Sequence, residues 1–352
     1  MRGALGWAII QGDVDRALRI SGAMWRYWSK RDLLEARDWL TRSLDLPGQP
    51  EPETRARALQ ALANILHDLG DFPAARTRFE ASLAIRRTLP NQSLIANSLN
   101  GLGIVAFAEG EFDHARRLHQ ESLALSRESG HLVGIGNALS NWATVEKALG
   151  AFDRSRTLQE EALEIRRTLG DENFIGYSLY NLGTLARAEY RLTDARTLFQ
   201  EALRLFRAAG DQFGVAFALT DLGAVSQQLG DPGEGANAMR EAIAIRQEMG
   251  DRRGLIDCLE AAAEIAGDLG QDQTSATILG AASHQRDDLH TPRTPSEQVE
   301  LDRWSKLVED RLGSAGYDEA LATGRDLSTQ ASIALAEVVL MTMAREDDTH
   351  AK

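Results

Sequence analysis

RRTLGDENFIGYSLYNLG (166–183) returns forty positions later as FRAAGDQFGVAFALTDLG (206–223). Both copies place apolar residues at helical spacing among good helix formers. Working outward, Gly70, Gly110, Gly150, Gly230 and Gly270 hold one place in a forty-residue unit, and Tyr190 breaks the series. Self-similarity at such a period is the signature of a solenoid, in which each unit buries its apolar face only against its neighbours. A solenoid offers a surface for holding something, which is seldom a device for chemistry.

Each unit reads as two helices with a turn at the glycine, often with Asp beside it. The second helix carries two columns of small residues. One is Ala75, Ala115, Ser155, Ala195, Gly235 and Ser275; the other is Ser82, Ser122, Ala162, Ala202, Ala242 and Ala282. Their seven-residue separation is about two helical turns, so both lie on one stripe where backbones can approach closely. Phe79, Phe199, Met239 and Leu279 stand between them and fill the gap to a neighbouring helix. His119 takes the same place in its unit and reads as a packed core histidine.

The pattern Leu-Gly, a turn glycine, then Ala, an apolar residue and Ala resembles the tetratricopeptide repeat (TPR). Leu182–Gly183, Ala195, Phe199 and Ala202 show it best. The common repeat has about 34 residues and a Pro closing its second helix. The longer unit here lacks that Pro and resembles the long-repeat class of kinesin light chains, spindle-orientation adaptors and bacterial signal-transduction ATPases. The resemblance implies an all-α fold, a right-handed α-α superhelix (TPR solenoid) with atypical capping helices at both ends.

Residues 1–46 read as an N-terminal helical cap with one degenerate repeat, in which Met24, Ala36, Leu40 and Ser43 keep the register. Helices are expected near 2–11, 14–30 and 32–45. Residues 47–53, with Pro47, Pro50 and Pro52, read as a joint. Six hairpins of period 40 occupy 54–290. Residues 291–352, beginning with Pro292 and Pro295, read as C-terminal capping helices: one over about 296–312, one from Tyr317 and one from about Ser328, a plausible N-cap.

A second resemblance spans the two ends. RGALGWAIIQGDVDRALRISGAMWRYWSKRDLLEARDWLTRSL, ILGAASHQRDDL and GSAGYDEALATGRDLSTQASIALA are similar to segments of bacterial STAND-type (NB-ARC) ATPase regulators, in which an ATPase module and often a DNA-binding module accompany the TPR part. The chain holds no G-x-x-x-x-G-K-[ST] phosphate loop and no recognisable helix-turn-helix reader. The resemblance therefore implies only a sensor or coupling role, with an ATPase or DNA-binding module supplied in cis or in trans. Two readings stay open: a detached C-terminal portion, or a stand-alone gene product.

Composition narrows the function. Across 352 residues, 43% are hydrophobic and 26% charged, and the net charge is −13. Such an acidic surface repels phosphate backbones, so no direct nucleic-acid partner is expected. The one cysteine, Cys258, excludes an intramolecular disulfide and fits a reducing compartment. No apolar run reaches the roughly 20 residues of a membrane span, and no signal peptide is legible. The expected location is the cytoplasm. The seven histidines make no zinc or H-E-x-x-H spacing. Gly101-Leu-Gly103 and Gly134-Ile-Gly136 follow no strand and read as packing or helix-start glycines. No cofactor, metal site or enzymatic constellation is expected.

In TPR arrays of this kind the first helix of each hairpin lines the concave groove. The candidate binding residues are Asn97 and Asn100; Asn137, Asn141 and Lys147; Tyr177, Tyr180, Asn181 and Arg187; and Phe217 and Asp221, with Gln227 beyond them. The place before Leu-Gly, held by Asn141, Asn181 and Asp221, resembles the asparagines that long-repeat TPR proteins use on peptide backbones. An amide both donates and accepts, so it suits an extended peptide. Tyr and Phe add stacking area, and Lys147 and Arg187 can take carboxylates. The alternative is that the asparagines bond only to a neighbouring helix. Two partners are thus expected: a protein or peptide ligand, or a second copy docking through Leu5, Trp7, Ile9 and Ile10 if these are exposed. A tyrosine at position 190 implies either a right-handed turn there or strain.

Overall fold

The protein, seen here in a computed structural model, is described over residues 2–29, 32–289, 291 and 293–350; His290 and Pro292 lie outside them. Among the described residues every regular element is an α-helix. The chain divides into two compact units, Met1–Val145 and Glu146–Lys352. The first opens with α1 (Arg2–Ile10), α2 (Val14–Ser29) and α3 (Leu33–Leu44). It continues with α4 (Pro52–Asp68), α5 (Phe72–Arg86), α6 (Gln92–Ala108) and α7 (Phe112–Glu128). The division falls near the end of α8 (Leu132–Ala148). The second unit holds α9 (Phe152–Leu169), α10 (Glu172–Ala188), α11 (Leu192–Ala209), α12 (Gln212–Gln228) and α13 (Pro232–Met249). It ends with α14 (Arg252–Asp268), α15 (Asp272–Asp288), α16 (Pro295–Leu312), α17 (Ser314–Arg325) and α18 (Thr329–His350).

Consecutive helices pack as the hairpins α4–α5, α6–α7, α10–α11, α12–α13 and α14–α15. The turn glycines explain why the chain reverses there. Gly70, Gly110, Gly150, Gly230 and Gly270 all have φ between +71° and +82°. A second series, Gly130, Gly170, Gly210 and Gly250, does the same between hairpins, so the turn mark recurs every twenty residues through the middle of the array. Asp71, Asp171, Asp211, Asp231 and Asp251 then cap the next helix, each accepting from the backbone N–H three residues on. Glycine ends one helix and aspartate starts the next.

Tyr190 takes the left-handed conformation of the glycines it replaces, at φ +59°. The right-handed alternative is excluded. A Cβ in that region costs about 1–2 kcal/mol. Part of this is offset by the Arg303 guanidinium, which lies 4.6 Å from the Tyr190 ring centre.

The small-residue columns sit where expected. Ser82 Oγ donates to the Ala56 carbonyl at 2.9 Å and Ser122 Oγ to that of Ala96 at 2.8 Å, so each ties the second helix of its hairpin to the first. Large residues face small ones. A Cβ on Gly183 would fall 2.6 Å from the Phe199 ring, and one on Gly103 would fall 2.5 Å from that of His119. His119 is fully buried, as expected, and burial pulls its pKa down to about 3.

The terminal elements bring two corrections. Leu5 is fully buried with Ala8 in the core of the first unit, beside Leu18, Leu40 and Leu62. The apolar face proposed for α1 therefore reduces to Trp7 and Ile10, 51% and 79% exposed, with Ile9 partly buried. Near the other end, α17 begins at Ser314, earlier than Tyr317, because Gly313 at φ +74° separates it from α16. Ser328 caps α18 by accepting from the Ala331 N–H at 3.2 Å.

Candidate functional site

The first helices of the hairpins present two polar columns. The first reads Asn97, Asn137, Tyr177, Phe217 and Asp257, each half-buried between buried neighbours. The second, four residues on, holds Asn141, Asn181 and Asp221, also half-buried. Residues spaced by three or four share a helical face, so both columns lie on one side of each helix.

In the first unit, Asn141 Nδ2 donates to Asn100 Oδ1 at 3.1 Å. His119 Nδ1 lies 2.9 Å from the same oxygen. An amide oxygen only accepts, so His119 donates from Nδ1, and its burial keeps the ring neutral. The amide of Asn141 thus has a partner on the neighbouring first helix, which is the alternative considered for these asparagines. The Asn100 amide nitrogen and Asn97 remain on the half-exposed face.

In the second unit, Tyr180 Oη donates to Asp221 Oδ2 at 2.7 Å, and Arg187 Nη1 pairs with Asp221 Oδ1 at 3.4 Å. The Tyr180 ring lies 5.7 Å from Phe199 and 5.9 Å from Phe217. Lys147 Nζ donates to Thr184 Oγ1 at 3.1 Å. Four of the expected residues, Tyr180, Arg187, Phe217 and Asp221, are thereby linked across α10 and α12, and Lys147 reaches α10 separately. Tyr177 is turned elsewhere: its hydroxyl donates to Asp211, the cap of α12, at 3.0 Å.

Three features lie beyond the sequence reading. The first is acidic. Asp257, Glu260 and Glu264 continue the face on α14. Burial, with Glu300 and Asp268 nearby, pushes Glu264 up to about 7 against the opposing pull of Arg187. Burial and Glu260 push Asp257 up to about 6 despite Arg286, Arg246 and Arg253. Asp257 follows Phe217 by one period, so the repeat itself could have found it.

The second feature is a buried arginine column near the end of the second helices: Arg86, Arg166, Arg246 and Arg286, each no more than 8% exposed. Arg86 donates to Ser98 Oγ at 3.0 Å and Arg166 to Ser178 Oγ at 2.7 Å. The forty-residue spacing makes this column legible too.

The third has no sequence signal. α16 runs along α14 and reaches α10: Glu300 Oε1 pairs with Arg187 Nη2 at 3.2 Å. Burial opposes the charge of Arg187, but Asp221, Glu300 and Glu264 outweigh it and hold its pKa above the usual value.

Among the described residues no cluster of three or more His, Cys, Asp or Glu could hold a metal. Cys258 is buried beside Thr220 Oγ1 at 3.4 Å, and burial pushes its thiol up, away from the reactive thiolate.

The sequence profile of the tetratricopeptide repeat matches residues 54–128, 134–208 and 176–248, more than half of the chain. The chain belongs to the tetratricopeptide repeat family. This TPR protein is similar in fold to a Rap protein solved in complex with competence and sporulation factor. That likeness has 15% identity, covers 94% of this chain and 87% of that one, and gives a TM-score of 0.61. Aspartyl phosphate phosphatase F from Bacillus subtilis matches at 11% identity over 90% of this chain and 95% of that one, with a TM-score of 0.58. Apo RapI matches at 13% identity over 74% and 99%, with a TM-score of 0.50. Identities this low carry the fold alone. A search of curated protein sequences returns no significant match. Among the described residues no helix is long and apolar enough to cross a membrane.

Proposed function

We propose that this TPR protein is a non-enzymatic binding module that holds a peptide or protein segment on the face of its first helices. The observation that carries the reading is the half-exposed column Asn97, Asn137, Tyr177, Phe217 and Asp257. Polar and aromatic groups repeated at the half-exposed positions of the first helices suit recognition of a backbone and its side chains. Asn97 and Asn100 offer amide groups to an extended segment. Tyr180 and Phe217 offer aromatic area, and Lys147 and Arg187 offer cationic partners for carboxylates.

The terminal stretches that resemble STAND-type regulators support a role in bacterial signalling, as the sensor or coupling part of a transcriptional regulator. An ATPase or DNA-binding module, in cis or in trans, would read its state. The Rap protein solved in complex with competence and sporulation factor shares this fold, which supports a binding role for it. Self-association through α1 is the weaker alternative, since Leu5 lies in the core and only Trp7 and Ile10 stand out.

The test is capture of partners from a cell lysate by the wild type and by the Asn141→Ala/Asn181→Ala double variant. Asn141→Ala loses the bond to Asn100, which contributes about 1 kcal/mol. Folding should therefore survive while specific partners are lost. Identical capture by the double variant would remove these asparagines from the account.

A further inference from the structure

We propose that α16 is a displaceable resident of the face formed by α10 and α14, and that a partner entering there places a carboxylate at Arg187 in place of Glu300. The inference rests on the binding function proposed above and gives that partner a chemistry: an acidic helical segment.

α16 lies along α14. At its entrance Arg293 pairs with Glu260 at 2.6 Å. At its far end Arg311 donates to the Gly267 carbonyl at 2.8 Å and pairs with Asp272 at 2.6 Å. Between these, Glu297, Glu300 and Arg303 are spaced by three, so they share one face. Glu300 takes Arg187 and Arg303 covers Tyr190. The Glu297 carboxylate turns back to accept the Thr294 N–H at 2.8 Å, closing the capping box of α16. One cation of the expected binding set, Arg187, is thus answered by a carboxylate of the protein itself.

The hold on α16 is light. Of its eighteen residues only Val308 is fully buried, against ten each on α14 and α15. Leu301 and Trp304 pack partly against the core, while Val299 and Leu307 are 70% and 58% exposed. Partly exposed ion pairs add little, and a helix with few buried apolar groups opens ahead of its neighbours.

The elements on either side share one small apolar cluster with Val308 of α16, at Ala276 and Ala320, and also hold each other directly. α15 and α17 meet backbone to backbone at two glycines. A Cβ on Gly280 would fall 2.2 Å from the Leu321 carbonyl oxygen, and one on Gly324 would fall 1.9 Å from that of Thr277. α16 is therefore an excursion between two helices that keep a direct contact of their own when it is released.

The experiment uses a fluorescent peptide of the chain's own sequence 294–312 and the full-length protein. The wild type, whose face is occupied, should bind it weakly. Glu300→Lys and, separately, Val308→Ser loosen the resident helix and should bind the peptide at least about tenfold more tightly. Hydrogen exchange on the same samples should show α16 amides exchanging ahead of those of α14. A peptide carrying Glu300→Ala should lose that affinity. The proposal fails if neither variant gains affinity, or if the Glu300→Ala peptide binds equally well. Success here together with unchanged capture by the asparagine variant would keep the displaceable helix and refute only the asparagine face.

Discussion

Asp251→Ala destabilises the α13–α14 region by about 3–5 kcal/mol, far more than the loss of a helix cap. Arg246 is 1% exposed, and its Nη1 donates to Asp251 Oδ2 at 3.1 Å. Its Nη2 reaches only the Thr220 hydroxyl at 3.3 Å, and its guanidinium lies 5.0 Å from the Phe217 ring centre. A hydroxyl and a ring do not balance a desolvated charge. Removing the carboxylate therefore leaves a buried cation whose nearest remaining compensation is the Coulombic field of Asp257. Asp251 also caps α14 by accepting from Gly254 N at 2.9 Å, a bond contributing about 1 kcal/mol. Asp251→Asn separates the two effects, since the amide oxygen keeps the cap and loses the charge. In the Arg246→Leu/Asp251→Ala double variant no charge is left unpaired, and much of the stability should return. Urea unfolding followed by hydrogen exchange across 232–268 reads these differences locally. A loss no larger than the cap alone would mean that Arg246 is balanced by other groups.

Gly324→Ala costs about 3 kcal/mol, at the upper end for overpacking. The new Cβ would meet the Thr277 carbonyl oxygen at 1.9 Å and the Ala281 nitrogen at 2.9 Å. Both atoms belong to the α15 backbone, so no side chain can rotate to make room and α17 must move away. Stability in a repeat array is a sum of local terms. The effect should therefore appear as lost amide protection in α17 and the last turns of α15, while α4–α7 stay protected. Unchanged protection in α17 would show that the close approach is not required.

The two predictions differ in how far the sequence could have anticipated them. Position 246 belongs to an arginine column on the forty-residue register that skips Ser126 and Phe206, and Gly-Asp pairs recur at 70–71, 170–171, 210–211, 230–231 and 250–251. Both belong to the periodic part of the chain, where each unit repeats the same local physics. The hairpins, the turn glycines, the buried His119 and the polar face were legible for that reason. Tyr190 was legible as an exception, and the choice between a right-handed turn and a strained left-handed one waited on the backbone. Gly324 belongs to the aperiodic end. Its close contact with α15 joins residues 47 apart by packing alone, and no spacing announces it. The same holds for α16, whose Glu300 finds Arg187 from 113 residues away. At the other end, α1 looked apolar on one side, and only packing could show that Leu5 points inward while Ile10 does not.

The central claim is that a partner sits on the face of the first helices, and site-specific photo-crosslinking tests it most directly. A benzophenone amino acid replaces Asn137 or Phe217 on that face, or Glu160, an exposed position on the second helix α9. After irradiation in cells, the account predicts a discrete protein or peptide adduct from positions 137 and 217 and none from 160. Adducts of equal yield from position 160, or from that position alone, would contradict it.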